Sequence, residues 1–337
     1  MRKANFFIPL LLGISLSSCD FFKSNTISVP VSQGKINEVS VIIDDYLWNG
    51  EVGDSLRAKL ARPIDGLIQE EPTLTLNQFS PSIINDQVSL QRNLVVVEQY
   101  QNNNSFSIKK GIPEYKHMEN LNARPQNVFY IKGNSLKEIL DLISKHGESL
   151  ESSVRFYELL KMQEDIALNP LNDSRIKNQF HISLTIPYSY KYTILNPNFL
   201  WLKKDLSTGS NSLLIYQVPI SRIENEIDMV ENFVQVRDSV TQKYVKGVRE
   251  NSSMQVDKSY APYLKKVFFD ENMDCYEFRG SWDLTNDFME GPYITYIYKD
   301  KKRNRYLFLD GFVYNPTQAK RDLMFELEAI IRNVYFY

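Results

Sequence analysis

Two periods of hydrophobic and polar residues alternate along this chain, and the switches between them mark its elements. Phe6 to Leu16 is a single apolar run behind Arg2 and Lys3. It is too short to span a bilayer as a stable helix and predicts a removable export signal. Ile36 to Ile43 is β-branched and predicts a strand ending at Asp44-Asp45. Val52, Leu56 and Leu60 then recur on one helical face, with Pro63 as a stop. Leu94 to Val97 and Val128 to Ile131 predict short buried strands, and the polar stretch Gln99 to Ser107 predicts a loop or hairpin tip. Ser135 and Glu138 have capping-box spacing ahead of the stripe Leu136, Ile139, Leu140 and Ile143. Gly147 is expected to interrupt or bend that helix before Leu150, Val154, Tyr157 and Leu160 resume the spacing.

Asn169-Pro170 to Asn178 is polar and aperiodic, the expected boundary between two domains. Beyond it, Ile182, Leu184 and Ile186 alternate with His181, Ser183 and Thr185, predicting a half-buried strand. Further strands are expected at 199–202, 213–218, 266–269, 275–282, 293–298 and 305–314, with a charged tip at 299–304. A second capping box at Ser221 and Glu224 opens a long helix that buries Ile223, Ile227, Val230, Val234 and Val240. A last helix starts after Asn315-Pro316 and buries Met324, Leu327, Ile331 and Val334. The pattern predicts an α+β protein of two domains, each a mainly antiparallel sheet packed with helices. Residues 1–18 are the signal, 19–34 a tether, 35–168 an α/β or α+β domain and 175–337 an α+β domain.

The length of 337 residues gives each domain room for a core of its own. A formal net charge of −2 argues against a nucleic-acid partner, which demands a basic face. The 2 cysteines are Cys19 and Cys275, so lipidation of Cys19 would leave Cys275 without a disulfide partner. The 20 tyrosines and 19 phenylalanines suit sheets built on aromatic cross-strand pairs.

Candidate chemistry is sparse. His117, His146 and His181 are scattered, with no metal-ligand spacing, and no phosphate loop, dinucleotide fingerprint or Gly-x-Ser-x-Gly elbow is present, so no metal or cofactor is implied. Asp44 and Asp45 close a buried strand, with Trp48 just beyond them, where paired carboxylates could bind a ligand or divide acid and base roles. Against that, acids after a strand commonly cap the next helix. Arg279, Trp282 and Asp283 form a second cluster that could line a cleft, with Trp282 as its apolar wall, or form a strand with Trp282 in the core.

Leu16-Ser17-Ser18-Cys19 resembles a bacterial lipobox, which implies that Cys19 is acylated and becomes the new N-terminus. Ile43-Asp44-Asp45-Tyr46-Leu47-Trp48-Asn49-Gly50, Arg124-Pro125-Gln126-Asn127, Arg237-Asp238-Ser239, Arg279-Gly280-Ser281-Trp282 and Gly311-Phe312-Val313-Tyr314-Asn315-Pro316 together carry a wider resemblance. On them the chain resembles a family of uncharacterised lipoproteins of Bacteroidetes-type bacteria, a domain of unknown function that implies no activity. The second half is also similar in layout to the Mog1/PsbP-like fold. It opens with a strand ending in Ile186-Pro187-Tyr188 and closes with a strand, turn and helix over Phe308 to Asn333. That likeness implies a binding or assembly module.

The expectation is a cell-envelope protein held on a bilayer by acylated Cys19, on the periplasmic side rather than the cell surface. It would bind an envelope protein or a small ligand without catalysis. The alternative is an envelope hydrolase using Asp44, Asp45 or Asp283.

Overall fold

In a computed structural model that describes residues 29–67, 69–83, 85–100, 111–224, 228–271 and 273–337, the chain forms two large sheets joined by one long helix, with a small two-stranded sheet near the C-terminus. The export signal and Cys19 lie outside the described residues, as does most of the expected 99–107 loop. The first half runs β1 (Glu38–Ile42), α1 (Asp45–Trp48), α2 (Glu51–Leu60), β2 (Thr75–Phe79), α3 (Asp86–Ser89), β3 (Asn93–Gln99), β4 (Glu114–Glu119), β5 (Asn127–Gly133) and α4 (Leu136–Ala167). Its strand order is β2-β1-β3-β5-β4. The second half runs α5 (Ser174–Phe180), β6 (Ile182–Ser183), β7 (Lys191–Asn196), β8 (Phe199–Leu206), β9 (Gly209–Pro219), α6 (Ile220–Glu224), α7 (Met229–Tyr244), β10 (Met254–Val256), β11 (Tyr263–Asp270), β12 (Met273–Leu284), β13 (Glu290–Asp300), β14 (Arg305–Tyr314), α8 (Arg321–Arg332) and β15 (Tyr335–Phe336).

The α+β character is as expected, but the first sheet is not mainly antiparallel. β1 pairs in parallel with β2 and β3, β3 pairs in parallel with β5, and only β4 runs against its neighbour. The cause is β2, whose five residues are all half-buried and so carry no hydrophobic alternation. It follows β1 through α2, and such a crossover makes the pair parallel. One face of this sheet offers Val39, Val41, Val95, Val97, Phe129 and Ile131 to Val52, Leu56 and Leu60 of α2 and to Ile139, Ile143, Leu150 and Val154 of α4. Each such side chain contributes about 1.5–3 kcal/mol when fully buried.

Helix α4 runs 32 residues without the interruption expected at Gly147. A Cβ there would stand 2.9 Å from Lys59 Cγ, so the glycine lets α2 lie close rather than bending the helix. Ser135 caps α4, its hydroxyl accepting from the Glu138 N–H at 3.3 Å. The Glu138 carboxylate reaches the Asn134 N–H instead of the Ser135 N–H, so the box closes one residue early. In its C-terminal half, the fully buried Glu158 accepts from Arg92 Nε at 2.6 Å, Asn93 Nδ2 at 2.7 Å and the Asn37 N–H at 3.0 Å. That pins the helix to the starting ends of β1 and β3 and leaves the buried charge compensated.

The eight-stranded second sheet has the order β10-β12-β13-β14-β9-β8-β7, with β11 also on β12, and all its pairings are antiparallel. Alternation along each strand feeds two cores. Leu213, Ile215, Ile294, Leu307, Leu309 and Val313 face α8 and α5, while Leu214, Tyr216, Ile297, Phe308 and Phe312 face α7. Leu159 and Ile166 from α4 complete the α8 core, so the helix of the first half is part of the second. On the α7 side Arg237 and Asp310 are both fully buried, with Nε 3.0 Å from Oδ2, and the Arg237 guanidinium lies 3.9 Å from the Tyr293 ring centre.

Several local expectations shift. The end of the 19–34 tether is docked, since Val31 and Gln33 bridge to Arg124 and Gln91 of the first half. The aperiodic 169–178 segment contains the start of α5. The 181–186 strand narrows to β6, because His181 turns left-handed (φ 54°) as the C-cap of α5. The cap of the long second-half helix is Asp228, accepting from the Val230 and Glu231 N–H groups, not Ser221. Helix α8 begins at Arg321, later than Pro316 suggested. No helix among the described residues is long and apolar enough to cross a membrane.

Candidate functional site

A polar cleft of about 330 Å³, onto which several charged side chains converge, lies between α4, α8, the loop after α2, and strands β11 and β12. Glu328 of α8 lies at its base and is 4% exposed. One carboxylate oxygen, Oε2, accepts from Arg279 Nη2 of β12 at 3.0 Å and from Arg155 Nη2 of α4 at 3.1 Å. The other, Oε1, accepts from Arg332 Nη1 at the end of α8 at 3.2 Å. Burial alone would raise the Glu328 pKa, but Arg279, Arg155 and Arg332 outweigh it and hold the carboxyl down to about 2. Burial disfavours the Arg279 charge as well, yet Glu328 and Glu277 keep that guanidinium above its usual range. Glu277 also bonds Arg279 Nε and accepts from the Tyr296 hydroxyl at 2.9 Å.

Three guanidiniums therefore share one carboxylate, and each carries five N–H donors. Arg332 and Arg62 remain partly solvent-facing on the rim, with Lys265, which forms no ion pair among the described residues. On the opposite wall Glu151 is 5% exposed, with Oε2 3.7 Å from Arg62 Nη2 and a buried Oε1 that has no hydrogen-bond partner. Phe156 and Tyr263 provide partly exposed aromatic edges. No histidine or cysteine lines the cleft. Guanidiniums do not exchange protons at ordinary pH, so the arrangement recognises anionic and hydrogen-bonding groups better than it moves protons.

Of the residues singled out from the sequence, only Arg279 lies in this cleft. Trp282 is three positions further along β12 and therefore on the opposite face. It is 1% exposed in the α7 core, with Nε1 donating to the Val313 carbonyl at 3.3 Å. Asp283 lines a separate shallow pocket with Gln255, Asp257 and Lys258. Asp44 and Asp45 sit past the end of β1 in the other sheet. The Asp44 backbone carbonyl accepts from the Leu47 and Trp48 N–H groups, while its side chain makes no cap bond. Asp45 Oδ1 accepts from Gln78 Nε2 at 2.8 Å. Trp48 is covered by Arg57, whose guanidinium lies 4.6 Å from the ring centre. The three carboxylates of the hydrolase alternative are thus spread over two sheets. Among the described residues no group of three or more His, Cys, Asp or Glu side chains is placed to hold a metal ion.

Arg155, Arg332, Glu151 and Glu328 were not singled out beforehand. A signal for one of them existed, because Glu328 falls four residues after Met324, inside the apolar stripe of the last helix, where a lone carboxylate needs cationic partners.

Residues 169–333 match the family described as Domain of unknown function (DUF4837), and residues 32–167 match Domain of unknown function (DUF8532). These matches accord with the expected uncharacterised family. No curated protein matches the chain. Among solved structures, the Saccharomyces cerevisiae Ran-binding protein Mog1p is similar at 7% identity and a TM-score of 0.30, over 46% of this chain and 89% of that one. A mutant of protein Mog1 is similar at 7% identity and a TM-score of 0.29, over 46% of this chain and 90% of that one. Likeness at this level says nothing about what the chain binds.

Proposed function

We propose that this protein is a binding module of a bacterial cell envelope, tethered through acylated Cys19, whose ligand places an anionic group in the arginine cleft. The observation that carries the binding reading is the convergence of Arg155, Arg279 and Arg332 on the single carboxylate of Glu328. Even with Glu277 also on Arg279, their remaining donors exceed what these two carboxylates accept, and rim cations Lys265 and Arg62, the latter beside Asp65 and Glu151, adjoin them. The tether rests on the Arg2-Lys3 start, the Phe6 to Leu16 run and the Leu16-Ser17-Ser18-Cys19 order. Several acyl chains on one cysteine exceed the marginal affinity of a single chain, at about 0.8 kcal/mol per buried methylene.

Two measurements test the reading. In cell fractions, Cys19→Ser should release the protein from membranes or block signal removal; a cleaved variant retained on membranes would remove the anchor. In calorimetric titration at low salt, glutarate or inorganic phosphate should bind the wild-type protein and not the Arg62→Glu/Lys265→Glu double variant. Binding of neither probe to the wild-type protein would rule out the anion cleft.

A further inference from the structure

We propose that β11 is a docking edge on which an extended acidic peptide adds as a further strand, passing acidic side chains into the arginine cleft. This rests on the cleft reading and extends it from an anionic group to a class of partner. Strand β11 is eight residues long and pairs only with β12 among the described residues. From Tyr263 to Val267, before the register with β12 shifts, every second N–H and C=O therefore faces outward, the arrangement by which a sheet edge captures another strand.

The side chains beside that edge line two adjoining cavities. Lys265, Glu277 and Arg332 line both the arginine cleft and a second cavity of about 550 Å³, which runs along Val267 and Phe269 and past Tyr296 and Tyr298. Tyr263, Lys265, Val267 and Phe269 alternate onto this face of the strand. A strand added at the usual spacing of about 4.8 Å would carry side chains to the same face about 7 Å apart. One end of it would reach Lys265 and the arginines, and the other the aromatic cavity.

Charge and exposure select the occupant. Lys265 is exposed and forms no ion pair among the described residues, whereas Lys266, on the other face, is bound by Asp274. Phe268 on that other face is 86% exposed, a large apolar surface on a strand already open at its edge. The partnerless Oε1 of Glu151 fits a peptide better than an inorganic anion, since a peptide brings N–H donors together with carboxylates. Lys265 on the edge and Arg332 beside it point to acidic side chains on the incoming strand.

The test pans a phage-displayed library of random peptides on the purified mature chain, followed by affinity measurement of the enriched sequences. Enrichment of acidic residues is expected at alternate positions. Lys265→Glu should weaken binding by about tenfold or more, and N-methylation of alternate backbone nitrogens along one peptide edge, but not the other, should do the same. Insensitivity to N-methylation, or no enrichment while glutarate still binds, would overturn strand addition and leave the anion cleft standing. Failure of glutarate, phosphate and peptides alike would remove both. A wild-type dimer in sedimentation that Phe268→Asp disperses would assign the edge to a second copy of the chain and overturn the peptide proposal.

Discussion

Arg155 on α4 and Glu328 on α8 meet across the join between the two halves, with Nη2 3.1 Å from Oε2. Arg279 Nη2 approaches the same oxygen from β12 at 3.0 Å, so one buried carboxylate ties the long helix, the last helix and the second sheet together. Because Glu328 is buried and its partners are all cationic, removing its charge leaves guanidiniums facing one another.

Glu328→Gln is expected to destabilise the chain by about 3 kcal/mol, the usual scale for breaking a buried ion pair from one side. Its pH dependence has a definite sign. The folded pKa of about 2 lies below the unfolded value of 4.5, so the contribution of the carboxylate is complete above about 4.5 and drains away as the pH falls toward 2. Denaturant titrations of both proteins should show their gap narrowing across that window. A gap independent of pH would mean that the charge contributes nothing.

The second half should not reach full stability alone. Leu159 and Ile166 of α4 belong to the core under α8, so a fragment beginning at Arg175 loses both along with Arg155. Its denaturation midpoint should fall below that of a fragment beginning at Asn134, which keeps α4 with its cap; each lost aliphatic costs about 2–3 kcal/mol. Equal midpoints would show that α4 is dispensable to that core.

Asp44→Asn and Asp45→Asn should each cost about 1 kcal/mol or less, since asparagine serves as well at a helix start and still accepts from Gln78 at position 45. Complementation of a deletion strain should survive either change. A variant that folds normally but fails to complement would favour the acid–base reading of this pair.

Gly53→Ala offers a test of packing against propensity. Alanine within a helix usually gains about 1 kcal/mol over glycine. Here its Cβ would fall 1.8 Å from the Trp48 carbonyl oxygen, and the backbone has to move. Thermal unfolding should show a net loss of about 2 kcal/mol; any rise in stability would mean that α1 and α2 are less closely apposed than described.

What the sequence determined by itself is the set of elements whose own residues repeat with one period. Arg305–Tyr314 was expected as a strand over the bounds it has, because its side chains feed two apolar cores in strict alternation. The α2 stripe Val52, Leu56, Leu60 was equally legible, since one helical face meets one sheet. What only the tertiary structure decided are relations that no single element carries. β2 is half-buried on both faces and leaves no period to read, so the parallel direction of the first sheet stayed hidden. Arg279 and Trp282 were close in sequence but belong to opposite layers of the second sheet, because side chains of a strand alternate. The arginine cleft draws Arg62, Arg155, Arg279 and Arg332 from three elements and a loop. Their shared site exists only because α4 crosses from the first core into the second and brings Arg155 to Glu328, a distance of sequence that local patterning does not span.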